Sequence, residues 1–150
     1  MIQPGSPAPD FTLRDQDLKK VSLGDFAGRR LVLCFYPGDF SPVCSDQLSI
    51  YQEVLGEIRS RGAELVGVSV DGAFCHRAFR EQLGLEMPLL ADFHPKGAVS
   101  EAYGAYMADR GFNNRSLVLV GAGGEVEWSY ESPSELEVPG ANLIFDALEG

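Results

Sequence analysis

Two continuous apolar segments constrain the fold of this chain more than any other feature. Leu31–Tyr36 ends at a Pro-Gly pair, and Leu65–Val70 ends at an Asp-Gly turn. Uninterrupted apolar runs of this length are typical of buried strands. Between them, Leu48, Tyr51 and Leu55 recur three or four residues apart, which is the period of a helix. This strand–helix–strand pattern predicts two parallel strands joined by a right-handed crossover.

The rest of the chain predicts further strands and helices around this unit. In chain order these are a hairpin of residues 10–14 and 20–23, a helix from about Phe74 to Gly84, a brief apolar segment at 88–91, a short helix at 98–103, a strand–turn–strand hairpin of 116–120 and 125–130, and a last helix at 141–149. The pattern predicts an α/β fold with a mixed central sheet flanked by helices. We expect one domain over residues 1–150, since a chain of this length can bury a core without disulfides.

The charge of the chain argues against two classes of partner. It has 12 Lys and Arg against 22 Asp and Glu, a net charge of −10, and no basic run longer than a pair. Nucleic acid and anionic membrane surfaces are therefore poor partners. No apolar stretch is long enough to span a bilayer, and residues 1–10 do not resemble a secretory signal. We therefore expect a cytoplasmic protein whose cysteines are catalytic or buried rather than bridged.

Cys44 stands at the predicted start of the helix that follows the first strand. A hydroxyl N-cap at Ser41 with Pro42 in the first helical position is a strong helix start, and it places Cys44 in the first turn. Free amides and the positive end of the helix dipole favour an anion there, such as a thiolate. The residues alone leave a reactive Cys44 and an inert buried Cys44 equally open.

The predicted topology brings Arg115 towards the same place. Parallel strands share one carboxyl edge, and an antiparallel strand that begins at Ser116 would start at that edge. Arg115, which keeps its charge at every relevant pH, could then reach the Cys44 sulfur. The Ser41 hydroxyl can donate to a thiolate or to a substrate oxygen. This arrangement suits attack on a peroxide, because these donors would stabilise the leaving oxygen while Cys44 becomes a sulfenic acid.

The segment Phe35–Cys44, FYPGDFSPVC, is similar to the Pro-x-x-x-Thr/Ser-x-x-Cys motif of the peroxiredoxins, the AhpC/TSA family. Arg115 matches the arginine that opens a strand in that family, and Gly5–Leu13 resembles the family's N-terminal segment. Gly97–Gly104 is similar to its small bacterial members, the PrxQ (bacterioferritin-comigratory) and AhpE-like groups. Ser41 stands where most members carry Thr, so the hydroxyl is kept but the methyl that restricts its rotamer is lost.

The resemblance implies a thioredoxin-like fold and a thiol-dependent peroxidase that reduces hydrogen peroxide and organic hydroperoxides. It implies no metal and no organic cofactor. Cys44 would be the peroxidatic cysteine, shielded by Pro37, with Ser41 and Arg115 positioning the peroxide and Gln47 holding the arginine.

The partners that the resemblance implies are a peroxide, a reductant and a second copy of the chain. The reductant could be thioredoxin, a glutaredoxin-like protein or a low-molecular-weight thiol. A homodimer is expected, and Phe40 is a candidate for its contact surface beside the site.

Two routes remain open for recycling the sulfenic acid. The sequence has no cysteine after Cys75, and Ser49 occupies the position five residues beyond Cys44, so two of the family's arrangements are excluded. Cys34 is expected to be a buried small hydrophobe. Cys75 follows the second strand and could pair with Cys44 if their Cα atoms approach within about 7 Å. PrxQ-like members often carry a resolving cysteine in this helix, whereas AhpE-like members use an external thiol.

The remaining features are expected to be structural. We expect His76 to be an exposed loop histidine, and the absence of CxxC or paired histidines argues against a metal site. The larger aromatic side chains are expected in the core; these are Phe35, Phe40, Phe74, Phe79 and Trp128.

Two other functions compete with a peroxidase. One is a thiol–disulfide oxidoreductase on the same fold, which is disfavoured because Ser41 replaces the first cysteine of a CxxC motif. The other is a redox-sensing or chaperone-like binding protein.

Overall fold

A seven-stranded mixed sheet forms the centre of the molecule. The computed structural model describes residues 1–150, and its strands hydrogen-bond in the order β2-β1-β5-β4-β3-β8-β9. The strands are β1 (Thr12–Arg14), β2 (Lys20–Ser22), β3 (Arg30–Phe35), β4 (Ala63–Ser69), β5 (Leu89–Ala91), β6 (Tyr106–Met107), β7 (Phe112–Asn113), β8 (Ser116–Val120) and β9 (Val126–Glu131). The helices are α1 (Pro42–Ser60), α2 (Ala73–Leu83), α3 (Ala98–Ala102) and α4 (Ala141–Glu149), with a 3-10 turn at Leu23–Phe26. Strands β6 and β7 form a separate two-stranded ribbon.

The register of the central strands confirms the predicted topology. Strands β3 and β4 are parallel, with Phe35 opposite Val68, and β8 runs antiparallel to β3, with Phe35 opposite Ser116. The end of β3 and the start of β8 therefore lie side by side at one edge of the sheet. The N-terminal hairpin of β1 and β2 is also present. The predicted mixed α/β sheet flanked by helices is confirmed.

Apolar side chains fill the space on both faces of the sheet. Successive residues of β3 alternate between the two faces, as they do in any strand. Leu31, Leu33 and Phe35 belong to one buried cluster, whereas Val32 and Cys34 belong to the other, which includes Cys44 and the buried face of α1. Cys34 is completely buried, as expected, and this burial raises the pKa of its thiol to about 12.

Two of the aromatic residues expected in the core lie at the surface instead. Phe74 is 74% exposed and Phe40 is 45% exposed. Phe74 is the second residue of α2, and the buried positions of that helix are Ala73, His76 and Phe79. The inward face of the helix therefore contains Phe79, as expected, but it carries His76 rather than Phe74. No helix combines the length and the hydropathy that crossing a membrane requires.

The packing of Gly67 at the centre of the sheet generates a stability prediction. A Cβ atom at Gly67 would lie 2.8 Å from Leu89 Cδ2 and 3.1 Å from the ring of Tyr36. Because both neighbours are buried, we expect Gly67→Ala to lower the free energy of unfolding by about 1–3 kcal/mol. Gly56, inside α1, has no atom within 4 Å of the same position. Gly56→Ala should therefore raise the free energy of unfolding by about 0.5–1 kcal/mol. Urea denaturation of both variants measures the difference, and an equal effect at the two sites would contradict this packing.

Candidate active site

Cys44 lies in the first turn of α1, as the sequence predicts. Ser41 is the N-cap residue in an extended conformation, and its Oγ accepts a hydrogen bond of 3.2 Å from the Cys44 amide. Pro42 occupies the first helical position. The Ser41 oxygen thus anchors the helix start through a lone pair, which leaves the hydroxyl hydrogen free to donate.

The Cys44 thiol is buried against the guanidinium of Arg115. Both terminal nitrogens, Nη1 and Nη2, lie 3.5 Å from Cys44 Sγ. Hydrogen bonds from a charged donor to an anionic acceptor are stronger than neutral ones, so this contact favours a negative charge on the sulfur. The structure therefore brings together the two residues that the sequence analysis placed at one sheet edge.

Two further contacts hold the arginine in this orientation. Arg115 is only 2% exposed, and its Nε donates to the Glu135 carbonyl over 2.9 Å. Its Nη1 also donates to Gln47 Oε1 over 2.5 Å. Gln47 is in turn fixed by a 3.2 Å hydrogen bond from its amide nitrogen to the Tyr51 hydroxyl, one turn along α1. The guanidinium is therefore held by two parts of the chain, α1 and the segment after β9.

An open cleft of about 370 Å³ leads to the N-terminus of α1. Its walls combine apolar and charged side chains, and the lining residues are Pro37, Ser41, Pro42, Val43, Arg110, Phe112, Arg115, Glu135 and Leu136. Arg110 forms an ion pair with Glu135 across the cleft. A small molecule with a polar oxygen end and an apolar tail fits this lining.

One backbone donor at this helix start has no acceptor in the protein. The amides of Cys44 and Ser45 donate to Ser41, and Pro42 has no N–H. The Val43 amide alone remains unpaired in this turn. Free amides in a first turn point outwards along the helix axis, where they bind anionic oxygens. The sequence predicts backbone donors here but does not single out Val43. Glu135 could not be predicted from its residue type either, because it contacts Arg115 through its backbone carbonyl.

Cys75 lies away from this cleft, in the first turn of α2. Cys34, Cys44 and Cys75 are all free thiols. Oxygen atoms of Asp39 and Asp71 and the Cys75 sulfur lie within 4.8 Å of one another. Burial, reinforced by the negative charges of Asp39 and Asp71, raises the pKa of the Cys75 thiol to about 12. The thiol form is thus strongly favoured at this position.

Asp39, Asp71 and Cys75 also form a group with the spacing of metal ligands. Their carboxylates are already engaged by donors of the protein. Asp71 Oδ2 accepts from the Ser69 hydroxyl over 2.6 Å and from the Asp39 amide over 2.8 Å. The two Asp39 oxygens are hydrogen-bonded to the Tyr36 hydroxyl and to the His76 ring. The group is therefore explained by contacts within the chain.

The expectation that His76 is an exposed loop residue is wrong. His76 lies inside α2 and is completely buried. Its Nδ1 is 2.6 Å from Asp39 Oδ2, and its Nε2 is 3.1 Å from the Leu90 carbonyl. The Tyr36 hydroxyl donates to Asp39 Oδ1 over 2.6 Å. A histidine beside a predicted turn suggested an exposed side chain. The burial of His76 is compensated by the carboxyl group of Asp39, which lies 37 residues earlier in the chain and gives no local signal.

Comparison with known proteins identifies the family of this chain. The model of the AhpC/TSA family matches residues 4–129. Alkyl hydroperoxide reductase E of Mycobacterium tuberculosis is 35% identical over 149 residues, which cover 99% of this chain and 97% of that protein. Peroxiredoxin Q of the rice chloroplast (Oryza sativa subsp. japonica) is 42% identical over 91 residues, which cover 61% of this chain and 42% of the relative.

Solved structures share the whole fold. The crystal structure of Enterococcus faecalis AhpC superimposes with a TM-score of 0.91 at 26% identity, covering 99% of this chain and 92% of that one. The peroxidoxin BcpB of Mycobacterium tuberculosis superimposes with a TM-score of 0.88 at 23% identity, covering 99% and 97%. The thioredoxin-like fold that the family resemblance implies is therefore confirmed. By its motif, its matching residues and its relatives, the chain belongs to the AhpC/TSA family, the peroxiredoxins.

Proposed function

We propose that the protein is a thiol-dependent peroxidase in which Cys44 reduces hydrogen peroxide or an organic hydroperoxide. The observation that carries this proposal is the pair of 3.5 Å contacts from the Arg115 guanidinium to Cys44 Sγ beside an open cleft. A buried sulfur that faces a permanent cation is suited to nucleophilic attack. Membership of the AhpC/TSA family supports the same activity.

The reaction follows from the donors that surround the sulfur. The Cys44 thiolate attacks the terminal oxygen of the peroxide, a sulfur–oxygen bond forms, and the oxygen–oxygen bond breaks. The leaving oxygen takes the electron pair and then a proton, which gives water or an alcohol, and Cys44 becomes a sulfenic acid. Arg115, the Val43 amide and the Ser41 hydroxyl can donate to the oxygens as negative charge moves onto them. The apolar walls around Pro37 can accept the alkyl group of an organic hydroperoxide.

Replacing Arg115 tests the proposed activity. Arg115→Ala should lower the second-order rate constant for peroxide reduction by about 10²–10³-fold, because a donor to the developing oxyanion is lost. Arg115→Lys should fall between this variant and the wild type, since a lysine keeps the charge but not the two-nitrogen geometry. Arg59→Ala is the control, because Arg59 pairs with Glu64 on the outer side of α1. Stopped-flow peroxide consumption measures all three rates.

The same variants separate the proposed peroxidase from a thiol–disulfide oxidoreductase. Exchange of the Cys44 thiol with a small aromatic disulfide creates no oxyanion, so Arg115→Ala should affect it much less than it affects peroxide reduction. A wild-type peroxide rate in Arg115→Ala, or an equal loss in both reactions, would contradict the proposed role.

For recycling, we propose that an external thiol rather than Cys75 attacks the Cys44 sulfenic acid. The external thiol forms a mixed disulfide with Cys44 and releases water, and a second thiol then regenerates Cys44 and leaves as part of a new disulfide. The attacking group in such steps is the thiolate. Cys75 supports this choice because its pKa of about 12 keeps it protonated near neutral pH. Thioredoxin, a glutaredoxin-like protein or a low-molecular-weight thiol could supply the reductant.

The raised pKa of Cys75 predicts how the reactivity of this thiol depends on pH. Below pH 12 its thiolate fraction should rise by about tenfold for each pH unit, so alkylation by iodoacetamide should be slow at pH 7 and accelerate up to about pH 12. Peptide mass spectrometry measures the rate at this site. Cys75→Ser should keep peroxide turnover with dithiothreitol as reductant. A Cys44–Cys75 disulfide after peroxide treatment, together with loss of turnover in Cys75→Ser, would contradict the external route.

We also propose the homodimer that the family resemblance implies, with Phe40 in its contact surface. Phe40 is half-exposed beside the site, and its ring packs 5.1 Å from that of Phe79 in α2. Phe40→Glu should shift the protein from dimer to monomer in sedimentation velocity. Ile50→Glu, an equally exposed apolar position on α1, should not. A monomeric wild type, or equal effects of the two variants, would contradict this surface.

A cytoplasmic location stays a prediction.

A further inference from the structure

The segment between β3 and α1, residues 36–41, forms part of the wall of the cleft beside Cys44. It carries Pro37, which lines the cleft, and ends at Ser41, which caps the reactive helix. Between them, Phe40 has a φ of 66°, in the left-handed region that side-chain-bearing residues rarely adopt. A backbone in this conformation persists only where its surroundings hold it in place. The conformation of this segment therefore depends on contacts outside itself.

Asp39 supplies those contacts. Its side chain is fully buried; Oδ1 accepts from the Tyr36 hydroxyl, and Oδ2 is hydrogen-bonded to His76 Nδ1, each over 2.6 Å. Its backbone amide donates to Asp71 Oδ2 over 2.8 Å. Asp39 thus ties the segment to the turn before α2 and to α2 itself, and its bond to Tyr36 closes the segment on its own first residue.

His76 is placed to connect this segment to the sheet. A carbonyl oxygen can only accept, so Nε2 donates to Leu90 in β5 and carries a hydrogen. On the other side of the ring, Nδ1 forms a hydrogen bond of 2.6 Å with Asp39 Oδ2. The imidazole therefore links β5 to Asp39 through two hydrogen bonds on opposite sides of its ring, and neither bond is used in the peroxide chemistry described above.

We propose that His76 is a positioning residue for peroxide reduction, which holds the cleft segment in its reactive conformation through Asp39. This proposal rests on the proposed peroxidase function, and it adds a residue that touches neither Cys44 nor the peroxide. The bond from Nδ1 to Asp39 carries the effect, whereas the bond from Nε2 to Leu90 orients the ring.

Two matched substitutions separate these bonds. The Asn side-chain amide occupies the place of Nδ1, so His76→Asn can keep the donor to Asp39. The Gln amide reaches the place of Nε2, so His76→Gln can keep the donor to Leu90 and loses the one to Asp39. Both variants remove the imidazole from the same buried site, so general effects on packing are closely matched. Two quantities are measured for each variant. They are the second-order rate constant for Cys44 oxidation by hydrogen peroxide and the rate of amide hydrogen exchange at residues 38–41.

We expect His76→Gln to lower the oxidation rate constant by about tenfold or more, because small displacements of positioning groups greatly reduce reaction rates. The rate constant of His76→Asn should stay within about threefold of the wild type. Amide exchange at Asp39 should accelerate in His76→Gln and stay slow in His76→Asn, with exchange in β3 unchanged in both. Equal rates in both variants, whether normal or reduced, would overturn the proposal, as would unchanged exchange at Asp39 in His76→Gln.

The exchange measurement also keeps the two proposals distinguishable. If hydrogen peroxide fails to oxidise Cys44 in the wild type, the peroxidase function is wrong. The role of His76 in holding the segment is then decided by exchange alone. Faster exchange at Asp39 in His76→Gln than in His76→Asn supports that role, and equal exchange overturns it.

Discussion

The site depends on a guanidinium that is removed from water. A buried charge is costly unless hydrogen bonds and opposite charge compensate it. Arg115 meets this requirement with the Glu135 carbonyl, the Gln47 amide oxygen and the Cys44 sulfur. The sulfur is thus one of only a few acceptors for this cation, and a thiolate formed there for attack on a peroxide would also compensate the charge of the arginine. Reactivity and stability are linked at this contact.

The sheet topology makes that contact possible at small conformational cost. Since β3 and β8 are antiparallel neighbours, the residue before β8 and the helix after β3 must meet at one edge. The helix start then adds a capping hydroxyl at Ser41 and a free amide at Val43. The hydroxyl and the amide are fixed by the start of α1, and the cation is fixed by its hydrogen bonds to Glu135 and Gln47. The donors are therefore already oriented before a peroxide binds, which is the condition for efficient charge stabilisation.

Much of this arrangement could be predicted from the sequence because it follows from local patterns. Apolar runs identified β3 and β4, the Ser-Pro pair identified the start of α1, and strand direction brought Arg115 to Cys44. The buried polar contacts were harder to predict. The inward stripe of α2 is Ala73, His76 and Phe79, and a histidine within it can be recognised as buried only once Asp39 is known to face it. The contact of Arg115 with the Glu135 carbonyl is likewise set by chain folding rather than by side-chain type.

The central claim is that peroxide reacts with the sulfur that faces Arg115 and with no other thiol. Treating the fully reduced protein with one equivalent of hydrogen peroxide, followed by intact and peptide mass spectrometry without reductant, tests it most directly. The account predicts a gain of one oxygen on Cys44, with Cys34 and Cys75 unchanged, because burial and neighbouring carboxylates keep those two thiols protonated. An unmodified Cys44, or oxidation that begins at Cys75, would contradict it.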